Sequence, residues 1–142
     1  MGPVLFLIFI NDVSSICIGE SKLKLFADDV KLYTSYNVNV TNCVNLQLSI
    51  DLLSSWAKSW QLCINISKCS VLSIHHNSKS FIHHPYYLNG IQLSNTSSVT
   101  DLGVLVDSRL TFNLHISNIL TEATQRVGVF FCFFSSRHLD LM

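Results

Sequence analysis

Two adjacent carboxylates, Asp28 and Asp29, follow Phe26 and Ala27 between two short β-prone stretches, 23–26 and 30–33. In a straight strand neighbouring side chains point to opposite faces. At a hairpin turn that alternation relaxes, and two carboxylates can approach a common point. Two anions held close repel each other unless a cation is present, which suits the pair to Mg²⁺ or Mn²⁺. Phosphoryl transfer across two such ions, about 3.5–4 Å apart, needs several flanking oxygens. Two neighbouring aspartates do not assemble that cage alone. Acidic turns are also common solvent-facing features, so the pair has to be weighed with its surroundings.

The other residues capable of chemistry are less organised. The pairs His75-His76 and His83-His84 invite a zinc reading, but adjacent histidines on a strand point apart and no Cys-x-x-Cys motif accompanies them. A polar loop or strand end accounts for them better. Five cysteines, at 17, 43, 63, 69 and 132, form no Cys-x-x-Cys pair. An odd count without a secretory leader favours reduced thiols inside the cell, with packing as the role of Cys63 and Cys69. Lys68 lies in a short polar turn, Ile64-Asn65-Ile66-Ser67-Lys68, whose bland reading is a solvent-facing lysine.

Several elements must position the acidic pair. Pro3 suits the first turn of a helix, and seven apolar residues follow it, Val4 to Ile10, before Asn11-Asp12 return the chain to water. This pattern predicts a fully buried helix. It is far short of the roughly 20 residues that span a bilayer, and no basic residue precedes it as a secretory signal would require. Leu46, Ile50, Leu53, Ala57 and Trp60 recur on one helical face, which Leu48, Leu52 and Trp56 broaden, with Thr41 or Asn42 as a cap. A strand is expected over 70–75. Asn89-Gly90 between Tyr86-Tyr87-Leu88 and Ile91-Gln92-Leu93 is a strong two-residue hairpin signal. Leu102 to Val106 reads as a further strand containing Gly103. Phe112, Ile116, Ile119, Ala123, Val127, Phe130 and Phe134 then mark an amphipathic helix.

In this order, Gly2-Pro3, the apolar run, Asn11-Asp12 and the Phe26-Ala27-Asp28-Asp29 hairpin resemble the reverse transcriptases of non-LTR retrotransposons. Trp56, Trp60, Leu62, Asn65, Lys68 and Cys69 are similar to the segment that follows the metal hairpin in that family. Leu102-Gly103-Val104, Asp107, Leu110, Phe112, His115 and Ile116 are similar to the start of its thumb. The likeness covers nearly the whole chain. It implies an α+β fold: a partial polymerase palm (helix, Asp-Asp hairpin, helix, strands) over 1–84, with the palm end and the beginning of a thumb over 85–142. It also implies Asp28 as the main metal ligand, Asp29 as a supporting one, and Lys68 near the phosphates of the incoming nucleotide. Mg²⁺ or Mn²⁺, an RNA template, a DNA primer and a deoxynucleoside triphosphate are the cofactor and partners it brings with it. Asp101 departs from the pattern, since many relatives carry an aromatic residue there, and this loosens the implied primer contact of the Leu-Gly-Val segment.

Bulk properties agree with part of a larger machine. The 142 residues suit one domain and are 49% hydrophobic, enough for a core. The formal net charge is zero, with nine Lys and Arg, and the sequence displays no basic face of the kind that free-standing nucleic-acid binders use. Mean hydropathy is +0.38, consistent with apolar surface awaiting a partner. The family's first catalytic carboxylate and its fingers precede the Gly-Pro helix, so the expectation is a piece lacking an N-terminal palm and fingers segment. Three readings stay open for the chain alone: an enzyme fragment needing the other half, a decayed gene remnant without activity, or a non-catalytic α+β interaction module. The second is preferred. The expected location is intracellular, cytoplasm or nucleus, with no export and no membrane insertion.

Overall fold

The structure, a computed structural model, describes residues 2–35, 40–75 and 84–137. It is α+β, with three α-helices, short 3-10 turns and eight short strands among those residues. The chain divides into two compact units, 1–71 with 82–94, and 72–81 with 95–142.

In the first unit, α1 (Gly2–Phe9) leads through a 3-10 helix (Asn11–Ile16) to strands β1 (Lys22–Phe26) and β2 (Asp29–Tyr33). These pair antiparallel in a register that sets Leu23 against Leu32, Lys24 against Lys31 and Phe26 against Asp29. The long helix α2 (Val40–Ser59) follows, then a 3-10 helix (Ile66–Lys68) and β3 (Ser70–Leu72). Strands β4 (Tyr87–Leu88) and β5 (Ile91–Gln92) close a second hairpin. Asn89 and Gly90 both take positive φ, 53° and 77°, the sign pattern of the type I′ turn expected of Asn-Gly.

The core of this unit gathers Ile50 of α2, Tyr86 and Leu88, with Leu32, Leu46, Ile64, Ile66, Cys69, Val71 and Leu93 packed against them. The hairpin β1–β2 and the Lys68 turn thus share one apolar floor, through Leu32 and Ile66. Gln47 fastens α2 to β4: its amide donates to the Tyr87 carbonyl and its oxygen accepts the Tyr87 N–H, both at 2.9 Å. The Ser54 hydroxyl donates to the Asn89 side chain at the second turn. Ser49, fully buried, accepts the Ile18 N–H at 3.0 Å and donates to the Asn45 carbonyl at 2.9 Å. A buried hydroxyl with both roles filled costs the fold little.

Three expectations about this unit need correction. The apolar run does form a helix, but it is not fully buried: Val4, Leu5, Leu7 and Ile8 are each more than half exposed. Phe6 is half-buried, and near the end of α1 Phe9 meets the Trp60 ring edge-on at 4.7 Å and Ile10 is buried. Asn42, an expected cap, lies inside α2, which begins at Val40, and the Thr41 side chain lies outside the described residues. The Asn42 amide donates instead to the Ser35 carbonyl, at 2.9 Å, and to Glu20. Leu48 and Leu52 face solvent, and the buried face runs through Cys43, Ile50, Ser54 and Ala57.

In the second unit β6 (Ser94–Thr96), β7 (Ser98–Asp101) and β8 (Val104–Asp107) precede α3 (Asn113–Arg137). Strands β7 and β8 pair antiparallel around Leu102-Gly103, whose φ angles are 48° and 85°. These two residues therefore form a turn, not part of a strand as the sequence was expected to show; β8 begins at Val104. The expected strand over 70–75 is likewise shorter, ending at Leu72. The apolar stripe on α3 is present but uncovered, with Ile116, Ile119, Leu120, Val127, Phe130 and Phe134 all more than half exposed. Among the described residues no helix is long and apolar enough to cross a membrane.

Candidate functional site

The acidic pair sits at the tip of the first hairpin. Because Phe26 pairs with Asp29, only Ala27 and Asp28 remain in the connecting turn. Ala27 holds φ at 50°, in the left-handed region that L-residues other than Gly, Asn and Asp seldom adopt. That twist breaks the strand alternation at the point where Asp28 leaves the chain. Asp28 and Asp29 are both exposed. One carboxylate thus projects from the turn and its neighbour from the first rung of β2.

Leu32 packs against the core, and Leu23 and Leu25, on the same face of the hairpin, are half-buried. The opposite face carries Lys22, Lys24, Phe26, Asp29, Lys31 and Tyr33. Only the antiparallel register brings Lys31 beside Lys24, which no count of charges along the sequence reveals.

Lys68 ends the Ile66–Lys68 turn and is exposed. Asn65 organises that turn: its side-chain oxygen accepts the Ser67 N–H at 3.2 Å and the Ser67 hydroxyl at 2.7 Å. Among the described residues no hydrogen bond or ion pair joins Lys68 to Asp28 or Asp29. The structure brings the two aspartates together at one turn and leaves Lys68 on another. No group of three or more His, Cys, Asp or Glu side chains poised for a metal occurs among the described residues. Two open carboxylates nevertheless fit Mg²⁺, which keeps several waters and is commonly held by one or two carboxylates plus substrate phosphates. His76 and His83 lie outside the described residues. Of the thiols, Cys17 and Cys69 have pKa values pushed up by burial, and Cys69 packs on the core.

The residues match, over 1–106, the family described as reverse transcriptase (RNA-dependent DNA polymerase). The chain belongs to that family. This reverse transcriptase chain is 30% identical over 133 residues to the RNA-directed DNA polymerase from mobile element jockey of Drosophila funebris, covering 89% of this chain and 14% of the relative. It is 29% identical over 140 residues to the probable RNA-directed DNA polymerase from transposon X-element of Drosophila melanogaster, covering 96% of this chain and 15% of the relative. A probable RNA-directed DNA polymerase from transposon BS of the same species is 28% identical over 137 residues. The resemblance to the non-LTR reverse transcriptases is thereby borne out. The chain spans about a seventh of the length of these curated relatives. No solved structure matches it.

The second unit contains an organised carboxylate that a reading for chemistry passes over. Asp107 accepts the N–H groups of Arg109 at 2.9 Å, Thr111 at 3.0 Å and Phe112 at 2.8 Å, together with the Thr111 hydroxyl at 3.0 Å. Partial burial alone would raise its pKa; the hydrogen bonds from Thr111, Arg109 and Phe112 outweigh this and lower it to about 2. These bonds hold the turn that leads into α3. In the sequence Asp107 stands among the residues similar to the start of the thumb, but its role in the turn shows only as an Asp four residues before a Thr at a helix start, which resembles an ordinary acidic turn.

Proposed function

We propose that this chain supplies part of the palm of a retrotransposon reverse transcriptase, with Asp28 and Asp29 as metal ligands at the hairpin tip. Residues 1–84 would form part of that palm, and 85–142 its end and the beginning of the thumb. The parent reaction is addition of deoxynucleotides to a primer 3′-OH on an RNA or DNA template. The observation that carries the reading is the two-residue turn at Ala27-Asp28, which exposes two consecutive carboxylates at the tip of a paired hairpin in a chain of this family.

Asp28 is the main ligand in this reading and Asp29 the supporting one. A divalent cation held there, Mg²⁺ or Mn²⁺, would supply charge stabilisation for phosphoryl transfer. Lys68 would place its ammonium near the nucleotide's phosphates, where it could steady charge or give a proton to the leaving pyrophosphate. The third carboxylate that two-metal chemistry requires comes, in this proposal, from outside the described residues.

Electron paramagnetic resonance of Mn²⁺ added to the purified chain tests the ligand assignment. The wild-type chain should reduce the free-ion signal, Asp28→Asn should abolish that reduction, and Asp29→Asn should weaken it. Equal Mn²⁺ uptake by all three proteins would remove the basis for the site. In parallel, the chain alone should fail to extend a primed RNA template, since two carboxylates do not complete a two-metal cage. Extension that disappears in Asp28→Asn would overturn that expectation of inactivity.

A further inference from the structure

The helix α3 carries an apolar seam that its own chain leaves bare. Ile116, Leu120, Ala123, Val127, Phe130 and Phe134 are spaced by four, three, four, three and four residues. That alternation keeps apolar side chains on one line of a helix and is the spacing of a two-stranded coiled coil. Every residue from Ile116 to Phe134 is exposed, and the five large side chains of the seam stand between 51% and 61% exposed. A helix in water draws most of its stability from packing such a face, not from propensity. Glu122 and Arg126, which carry the charge between Asn113 and Phe134, lie off the seam and pair with each other at 3.7 Å. No charge therefore interrupts the apolar line.

We infer that two copies of this chain pair antiparallel through α3. The sizes of the seam residues select both the partner and the direction. Run antiparallel about Gln125, the seam sets Phe130 against Leu120, Phe134 against Ile116 and Val127 against Ala123 of the second copy. Each layer joins a larger side chain to a smaller one, which keeps the packing even along the pair. A parallel pair would set Phe130 against Phe130 and Ala123 against Ala123, crowding one layer and leaving a void in the other. The antiparallel arrangement also brings the two Glu122–Arg126 pairs together at its middle, a neutral cluster of four charges, and opposes the two helix dipoles. Half-exposed Leu, Ile and Phe side chains still present about 100 Å² each. Covering the seam with its neighbours Ile119 and Phe131 on both copies thus buries on the order of 1,200 Å², the lower end of what a stable interface needs. Because both copies use the same face, the contact closes as a dimer. The inference is separate from the metal reading, since α3 carries none of Asp28, Asp29 and Lys68.

Analytical ultracentrifugation of the full chain over a range of micromolar concentrations tests this, with 16.0 kDa as the monomer mass. The expected result is a reversible monomer–dimer equilibrium that proceeds no further. Phe130→Asp should weaken it by more than about tenfold, while Leu7→Asp, on the bare face of α1, should leave it unchanged. Direction is read by cross-linking in a background where the exposed Cys63 and Cys132 are replaced by serine. In the antiparallel pair positions 124 of the two copies lie about 3 Å apart along the axis, and positions 117 about 24 Å apart. A short bis-maleimide should therefore join copies of Thr124→Cys but not of Ser117→Cys, and both substitutions leave the seam intact. A chain that stays monomeric throughout would overturn the inference, and uptake of that monomer by phosphatidylcholine vesicles would assign the seam to lipid instead. Joined copies of Ser117→Cys, the mark of a parallel pair, would also overturn it. So would equal weakening by Leu7→Asp, which would move the contact to α1.

Discussion

Replacing Ala27 by glycine should stabilise the first hairpin, and the size of the gain follows from the backbone. An L-residue in the left-handed region bears a clash between Cβ and the carbonyl that costs roughly 1–2 kcal/mol. Ala27, at φ 50°, bears it while its side chain is exposed and contributes little packing. Glycine removes the clash but gives the unfolded chain more freedom, an opposing effect of about 0.4–1 kcal/mol. The net expectation is a stabilisation of about 0.5–1 kcal/mol. The other two-residue turns make a controlled series. Leu102→Gly, at φ 48° with Leu102 half exposed, should shift stability in the same direction. Asn89→Gly should not, because asparagine tolerates φ 53° and its side chain accepts the Ser54 hydroxyl. Losing that hydrogen bond should destabilise by about 1 kcal/mol. Urea unfolding followed by circular dichroism reads these effects. With a slope of about 2 kcal/mol/M, Ala27→Gly should raise the midpoint by roughly 0.25–0.5 M. A midpoint that falls, at unchanged slope, would refute the argument that a strained turn presents Asp28.

Ile50→Ala, which empties the centre of the first unit's core, should destabilise by about 2–4 kcal/mol in the same urea assay; a loss below about 1 kcal/mol would mean the cluster does not hold that unit. Asp107 should make α3 acid-sensitive: with its folded pKa lowered to about 2 from 3.8, its contribution is complete above pH 4 and disappears as pH falls toward 2. Hydrogen exchange of the amides that begin α3 should accelerate across that window in wild-type protein, and the step should be absent in Asp107→Asn.

The parts of the fold legible in the sequence are those with a local cause. Asn89-Gly90 announces its turn because both residues tolerate positive φ, and the Asp-Asp hairpin is visible because β-prone residues flank it. Leu102 gives no such signal: leucine favours neither the left-handed region nor a turn, so Leu102-Gly103-Val104 reads as continuous strand until its pairing with β7 is known. The exposure of α1 has a different origin. An apolar run records that water is unfavourable for those side chains, but not where their cover comes from, and among the described residues the ring contacts to α1 are those of Trp56 and Trp60 with Phe9. Register explains the remaining gap. Lys22 and Lys24 are two apart in sequence and share a face by alternation alone, whereas Lys31 joins them only because a two-residue turn sets Phe26 against Asp29. A residue inserted after Ala27 with the turn kept at two residues would shift β2 by one position against β1 and send Lys31 to the face now held by Leu32. The same insertion would separate Asp29 from Phe26. The turn at Ala27-Asp28 therefore fixes the spacing of the carboxylates, and a one-glycine insertion after Ala27 should reduce Mn²⁺ uptake.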